Sequence, residues 1–148
     1  MENDTMPINR QAMRLYIALT RTYKKLLDRD LQNIRGYGLN ATEFGVLEFL
    51  YNKGSHPLQQ IGNHILITSG TITYVIDKLE KKGLIIRRSC EKDRRIIYAE
   101  LTEAGRNKMG EILPIHYATF NETFEGLTPA EMEQTIDLLK KISFYSKE

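Results

Sequence analysis

The 148-residue sequence holds one cysteine, Cys90, three histidines and a formal charge of only +2. A single thiol closes no intramolecular disulfide and builds no thiolate metal cluster, so a reducing compartment, the cytoplasm, is expected. His56, His64 and His116 follow no metal-ligand spacing, Cys90 has no evident base, and neither a glycine-rich phosphate loop nor a nucleophile elbow occurs. The parts of an enzyme are missing, and no cofactor or metal is expected. No apolar run of secretory length follows Met1, and none approaches the roughly 18 to 20 residues of a membrane span, so a soluble chain without a membrane partner is expected. The length suits one compact domain.

The informative residues are concentrated between positions 57 and 95. Over 68–82, Ile72, Val75, Ile76 and Leu79 recur at i, i+3, i+4 and i+7, which makes one apolar helical stripe that must face a core. The opposite side presents Ser69, Gly70, Thr73, Tyr74, Asp77, Lys78 and Lys81, with Thr68 placed to cap the helix. Its small, hydroxylated first turn suits close approach to a DNA groove: helix N-termini attract phosphate, and hydroxyls reach base edges. Gly83 after a lysine-rich last turn is a stop signal.

The period then changes. Leu84, Ile85 and Ile86 begin a strand, Arg87, Arg88, Lys92, Arg94 and Arg95 follow, and Ile97, Ala99 and Leu101 alternate with Tyr98 and Glu100. This is a hairpin with a basic tip, able to enter a minor groove beside the helix. Charge supports that reading: 68–95 contains eight basic and four acidic residues, a local +4, leaving −2 for the remainder of the chain. A basic face of this kind marks a nucleic-acid partner.

Taken together, the stretch SGTITYVIDKLEKKGLI, the Asp93-Arg94-Arg95 tip and the strand leading into Leu101-Thr102-Glu103-Ala104-Gly105 resemble the MarR family of bacterial transcription regulators, in order and spacing. The flanking helices extend the resemblance over nearly the whole chain. It implies a mainly α fold with a small β-hairpin wing (α+β), a winged helix-turn-helix between N- and C-terminal dimerisation helices. It further implies an obligate homodimer on a pseudo-palindromic double-stranded operator, released by a small molecule or by thiol oxidation, and more often a repressor than an activator. Leu66 departs from the smaller residue usual in the turn between the two central helices.

The flanks read as helices. Residues 1–7 are polar and expected to be disordered, with structure from 8 to 146: dimerisation helices over 8–35 and 102–146, the helix-turn-helix over 57–82 and the wing over 84–101. Ala12, Leu15, Tyr16, Leu19, Tyr23, Leu26, Leu27 and Ile34 hold helical spacing until Gly36 and Gly38. Asn40 and Glu43 form a capping-box start for a helix bearing Phe44, Leu47, Leu50 and Tyr51, and Pro57 suits the first turn of the next, which turns Leu58, Ile61 and Ile65 inward. Thr102 can cap a helix carrying Met109, Ile112, Leu113, Tyr117, Phe120 and Phe124, which Pro114 should kink or split and Gly126 should end. Thr128, Pro129 and Glu131 open a last helix with a stripe of Met132, Ile136, Leu139 and Ile142. The terminal helices carry more apolar surface than one small domain covers, which calls for a second copy.

The candidate DNA-binding residues are Thr68, Ser69, Gly70, Thr71, Thr73, Tyr74, Lys78, Arg87, Arg88, Lys92, Arg94 and Arg95. Tyr74 is alternatively a half-buried packing residue, and one of Arg87 and Arg88 packs or pairs while the other meets phosphate. By resemblance, Asp93 pairs with Arg95 and stiffens the tip for Arg94 to insert. Cys90, near Arg88, Lys92 and Arg94, is a candidate redox thiol or an ordinary surface one. Family members place an effector pocket between the dimerisation helices and the DNA-binding lobe; Tyr16, Tyr23, Phe44, His116, Tyr117 and Phe120 are candidate lining residues for an aromatic, phenolic or quinone-like molecule, or plain core. A winged helix serving only protein interaction is the competing class, and it predicts no basic focus on the wing.

Overall fold

Residues 10–65 and 69–145 are described by a computed structural model of the chain. The first helix, α1 (Arg10–Gly36), runs 27 residues, about 40 Å at 1.5 Å per residue. It stops where Gly38 takes φ +76° and donates its N–H to the Arg35 carbonyl at 2.9 Å. Of its stripe only Ile34 is buried; Leu15, Tyr16, Tyr23 and Leu27 are open.

The core is built around α2 (Ala41–Lys53), which buries Phe44, Val46, Leu47, Phe49 and Leu50, more of its circumference than a single stripe. Asn40 caps it, its Oδ1 accepting the Glu43 N–H at 2.8 Å. The reciprocal half of the cap differs from a standard box. Glu43, only 4% exposed, receives the Asn40 side-chain amide at 3.0 Å and the Lys82 ammonium, so this carboxylate also ties the start of α2 to the end of the fourth helix.

A two-residue strand, β1 (His56–Pro57), follows and is absent from the sequence reading, which placed Pro57 in the first helical turn. Pro57 instead precedes α3 (Leu58–His64) as its cap residue. Ile61 is fully buried, with Leu58 and Ile65 packed partly against the core. The next helix, α4 (Ser69–Lys81), turns Ile72, Val75, Ile76 and Leu79 inward, each at most 4% exposed. It ends as the glycine predicts: Gly83 takes φ +74°, its N–H reaches the Glu80 carbonyl, and the Leu84 N–H reaches that of Leu79.

Strands β2 (Ile85–Ser89) and β3 (Ile97–Leu101) pair antiparallel, from Ile85 opposite Leu101 to Ser89 opposite Ile97. The sheet order is β1-β3-β2, with His56 opposite Ala99 and Pro57 opposite Tyr98. The wing is therefore a three-stranded sheet, laced to the entrance of the helix-turn-helix, where a two-stranded hairpin was expected. Two backbone groups are too weak a periodic signal to read from sequence.

Two helices close the chain. α5 (Glu103–Thr123) begins at Thr102, whose Oγ1 accepts the Gly105 N–H at 3.0 Å and donates to the Gly83 carbonyl at 2.6 Å. It continues as one element through Pro114, so the proline does not split it, and it ends at Phe124 ahead of Gly126. α6 (Pro129–Tyr145) starts with the expected capping box: the Thr128 N–H meets Glu131 Oε2 at 2.8 Å and the Glu131 N–H meets Thr128 Oγ1 at 3.2 Å. No residue of α6 is buried. Among the described residues no helix is long and apolar enough to cross a membrane. The expectations for residues 1–7, for the Thr68 cap and for the Leu66 turn lie outside the described residues.

Candidate nucleic-acid interface

Burying Ile72, Val75, Ile76 and Leu79 leaves α4 no choice about its other side. Gly70, Thr71, Thr73, Tyr74 and Lys78 are exposed together, while the side chain of Ser69 is outside the described set. Tyr74 is 59% exposed, which favours the outward reading over the packing one. The Lys78 ammonium lies 4.8 Å from the centre of its ring. Hydrogen bonding to Tyr74 holds that ammonium above the ordinary lysine range, so the helix face carries a permanent cation one turn beyond its hydroxyls.

The wing tip is ordered by Asp93. Its carboxylate accepts from Arg95 through Nε and Nη2, both at 3.0 Å, and from the Arg95 backbone N–H at 3.1 Å. These bonds hold Asp93 below the usual carboxylate range and raise Arg95. The Cys90 N–H to Ile96 carbonyl and Ile96 N–H to Asp93 carbonyl bonds close the loop. Lys92 and Arg94 are exposed there, and no ion pair joins Arg94 to any described residue. The expected Asp93–Arg95 pairing is thus present, with Arg94 projecting beside it.

Strand alternation separates the two remaining arginines. Arg87 points with Ile85 toward α4, where it meets Asp77, Glu80 Oε1 at 3.2 Å and the Thr73 carbonyl at 3.4 Å. Arg88, on the other face, is 64% exposed and pairs with Glu100 at 2.9 Å. Cys90 is partly buried just beyond β2. Sequence reasoning passed over Gln59, Gln60 and Asn63, which with Thr73 and Arg95 line an open cleft of about 520 Å³ between α3, α4 and the wing. Their i, i+1 and i+4 spacing along the polar side of a short helix was the available signal.

The candidate effector residues divide. His116, 3% exposed, is packed by Phe44 at 4.6 Å between ring centres, Phe120 at 5.0 Å and Tyr37 at 5.8 Å, with Tyr117 at its edge. Tyr37 was not among the expected residues. Burial first, then the Asp30 carboxylate, pushes its phenol upward, and its hydroxyl shares a hydrogen bond with His116 Nδ1 at 3.3 Å. On the other side of the ring, Nε2 lies 3.4 Å from Asp30 Oδ1, an oxygen that is buried and makes no hydrogen bond among the described residues. The Tyr117 hydroxyl reaches Glu48 on α2 at 3.3 Å. Tyr16 and Tyr23 stand apart on the open face of α1, 64% and 66% exposed.

An exposed second helix of a helix-turn-helix, flanked by a basic sheet, defines a winged helix-turn-helix protein. Known proteins agree. The MarR family model matches residues 39–97. The HTH-type transcriptional regulator MhqR of Bacillus subtilis (strain 168) is 44% identical over 138 residues, covering 93% of this chain and 95% of that protein. The transcriptional repressor MprA of Escherichia coli (strain K12) is 29% identical over 120 residues, 80% of this chain and 68% of that one. The structure of Bordetella bronchiseptica BpsR, described with the regulation of its DNA binding by 6-hydroxynicotinic acid, superposes with a TM-score of 0.73 at 30% identity, over 88% of this chain and 98% of its own. The chain belongs to the MarR family, and it is a DNA-binding transcriptional regulator, not an enzyme.

Proposed function

We propose that the protein is a homodimeric repressor that occupies a pseudo-palindromic operator and leaves it on binding a small aromatic molecule of phenolic or quinone-like type. One observation carries the reading: the exposed hydroxyl face of α4 and the Arg94 tip belong to the same chain as an uncovered apolar surface on α1 and α6. Two such chains paired through α1, α5 and α6 present two α4 helices to successive major grooves, about 10 to 10.5 bp apart, with wings at the flanking minor grooves. Thr71, Thr73, Tyr74 and Lys78 then meet bases and phosphates, and Arg94 enters the minor groove. Repression needs only occlusion of the promoter, in keeping with the repressor MprA.

The effector reading rests on the cluster where α1 and α2 meet α5. His116, Phe44 and Phe120 supply ring faces, and the unbonded Asp30 oxygen offers an acceptor to a phenolic hydroxyl. BpsR responds to a hydroxylated aromatic acid. A ligand seated there bears on α1 and α2 together and changes the spacing of the two reading lobes; about 1–3 kcal/mol of differential affinity is the usual size of such coupling.

The test is fluorescence anisotropy of a duplex from upstream of the protein's own gene beside a scrambled duplex, across salt, with and without phenols and quinones. Selective, salt-sensitive binding that phenols reverse in the wild type but not in His116→Ala supports the reading. Equal, weak binding to this duplex and to a panel of genomic fragments sinks it.

A further inference from the structure

We infer that Arg87 is a positioning residue that locks the wing to the recognition helix and partly offsets two carboxylates beside the DNA, and that it is not itself a phosphate contact. The inference deepens the DNA-binding reading above and rests on it. Thr73, Asp77 and Glu80 lie at i, i+4 and i+7, so one stripe of α4 presents a carbonyl and two carboxylates along a line. Arg87 meets that line from β2: Nη1 donates to Glu80, and Nη2 to Asp77 and to the Thr73 carbonyl. Only a planar fork with several fixed donors can serve all three at once.

The contrast with its neighbour is direct. Arg88 is 64% exposed and holds one partner, whereas the Arg87 side chain is 26% exposed and its terminal nitrogens are engaged. Two consequences follow. The helix that reads the major groove and the wing that reads the minor groove are fixed to each other through one guanidinium, so both can engage a duplex at once only while it is in place. Asp77 and Glu80, one turn and two turns from Thr73, would otherwise repel the phosphates that flank the groove. Pairing of Arg87 with these acids makes α4 usable as a DNA-facing surface.

The experiment starts with duplexes selected by the wild-type chain from a random-sequence library, and measures Kd for one selected and one scrambled duplex across salt. The variants are Arg87→Ala, Arg87→Lys, Asp77→Asn/Glu80→Gln and the combined triple variant, each with a melting curve. Arg87→Ala is expected to weaken the selected duplex tenfold or more and the scrambled one less, so selectivity falls, with Arg87→Lys recovering part of the loss. In the Asp77→Asn/Glu80→Gln background the same substitution is expected to change Kd less than threefold, because the groups it serves are gone.

A direct phosphate contact gives a different pattern. Arg87→Ala then weakens both duplexes alike in either background, and the salt slope drops by about 0.9. That result overturns the assignment, as does an Arg87→Ala variant that folds and binds like the wild type. If the wild type selects no sequence at all, the DNA-binding reading fails first and the assignment with it.

Discussion

Asp93 and Arg94 divide the labour of the wing tip between adjacent positions. The Asp93 carboxylate spends its acceptors on Arg95, which leaves Arg94 as an exposed cation at the tip. Arg94→Ala is therefore expected to weaken operator binding by about 1–3 kcal/mol and to lower the salt slope by about 1, read by anisotropy across ionic strength. The pH dependence of the tip has a definite sign. A carboxylate whose folded pKa is depressed contributes above its unfolded value, and the contribution is lost as pH falls through the folded one. The Arg95 contacts depress Asp93, so the tip should stay ordered through the ordinary aspartate range and loosen only below it; carbon-detected NMR of the Asp93 carboxyl, with Asp93→Asn as the blank, measures this. The pairing was expected through the family resemblance that the Asp-Arg-Arg tip carries. The division between Arg87 and Arg88 was not, because it depends on which face of β2 meets α4, and a shift of one residue in register exchanges the two.

Caps decide where the elements begin and end, and here sequence was a good guide. Asn40, Thr102 and the Thr128–Glu131 box act where local chemistry says they should, and Gly83 stops α4 by the same logic. Local signals failed where the partner is distant. β1 exists only because His56 and Pro57 find Ala99 and Tyr98, more than forty positions on, and Pro114 is carried inside α5 without ending it. Gly105 shows the same dependence on tertiary surroundings. A Cβ placed there would sit 2.1 Å from the Leu84 carbonyl oxygen, so the first turn of α5 is pressed onto the turn between α4 and β2 with no room for a side chain. Gly105→Ala should destabilise the fold by about 1–3 kcal/mol, the scale of overpacking in a core, seen as a lowered Tm. The loss should exceed that of Gly126→Ala, where a Cβ meets nothing within 4 Å.

At the scale of the whole molecule, the apolar surplus of the terminal helices was legible in the sequence. Ile136, Leu139 and Ile142, read there as part of a surface one domain cannot cover, are 41%, 43% and 40% exposed, and α6 buries no residue within its own chain. A helix of 17 residues with so little packing is marginal alone, since most helical stability in proteins comes from a buried face. Leu139→Glu is expected to convert the proposed dimer to monomer in sedimentation velocity and to reduce operator affinity at least tenfold, while the buried core around α2 stays folded. A dimeric Leu139→Glu variant would place the interface elsewhere.

The sheet order β1-β3-β2 leaves β2 with one open side, a row of backbone donors and acceptors that any extended chain could zip onto. In the proposed dimer such rims would come near each other at every encounter. Arg87 and Arg88 occupy that rim on opposite faces, and the charged groups they and their acidic partners place beside it oppose the close stacking of one copy on the next. If Arg87 positions the reading helix, one side chain serves both recognition and the blunting of the wing edge against fibre-like growth.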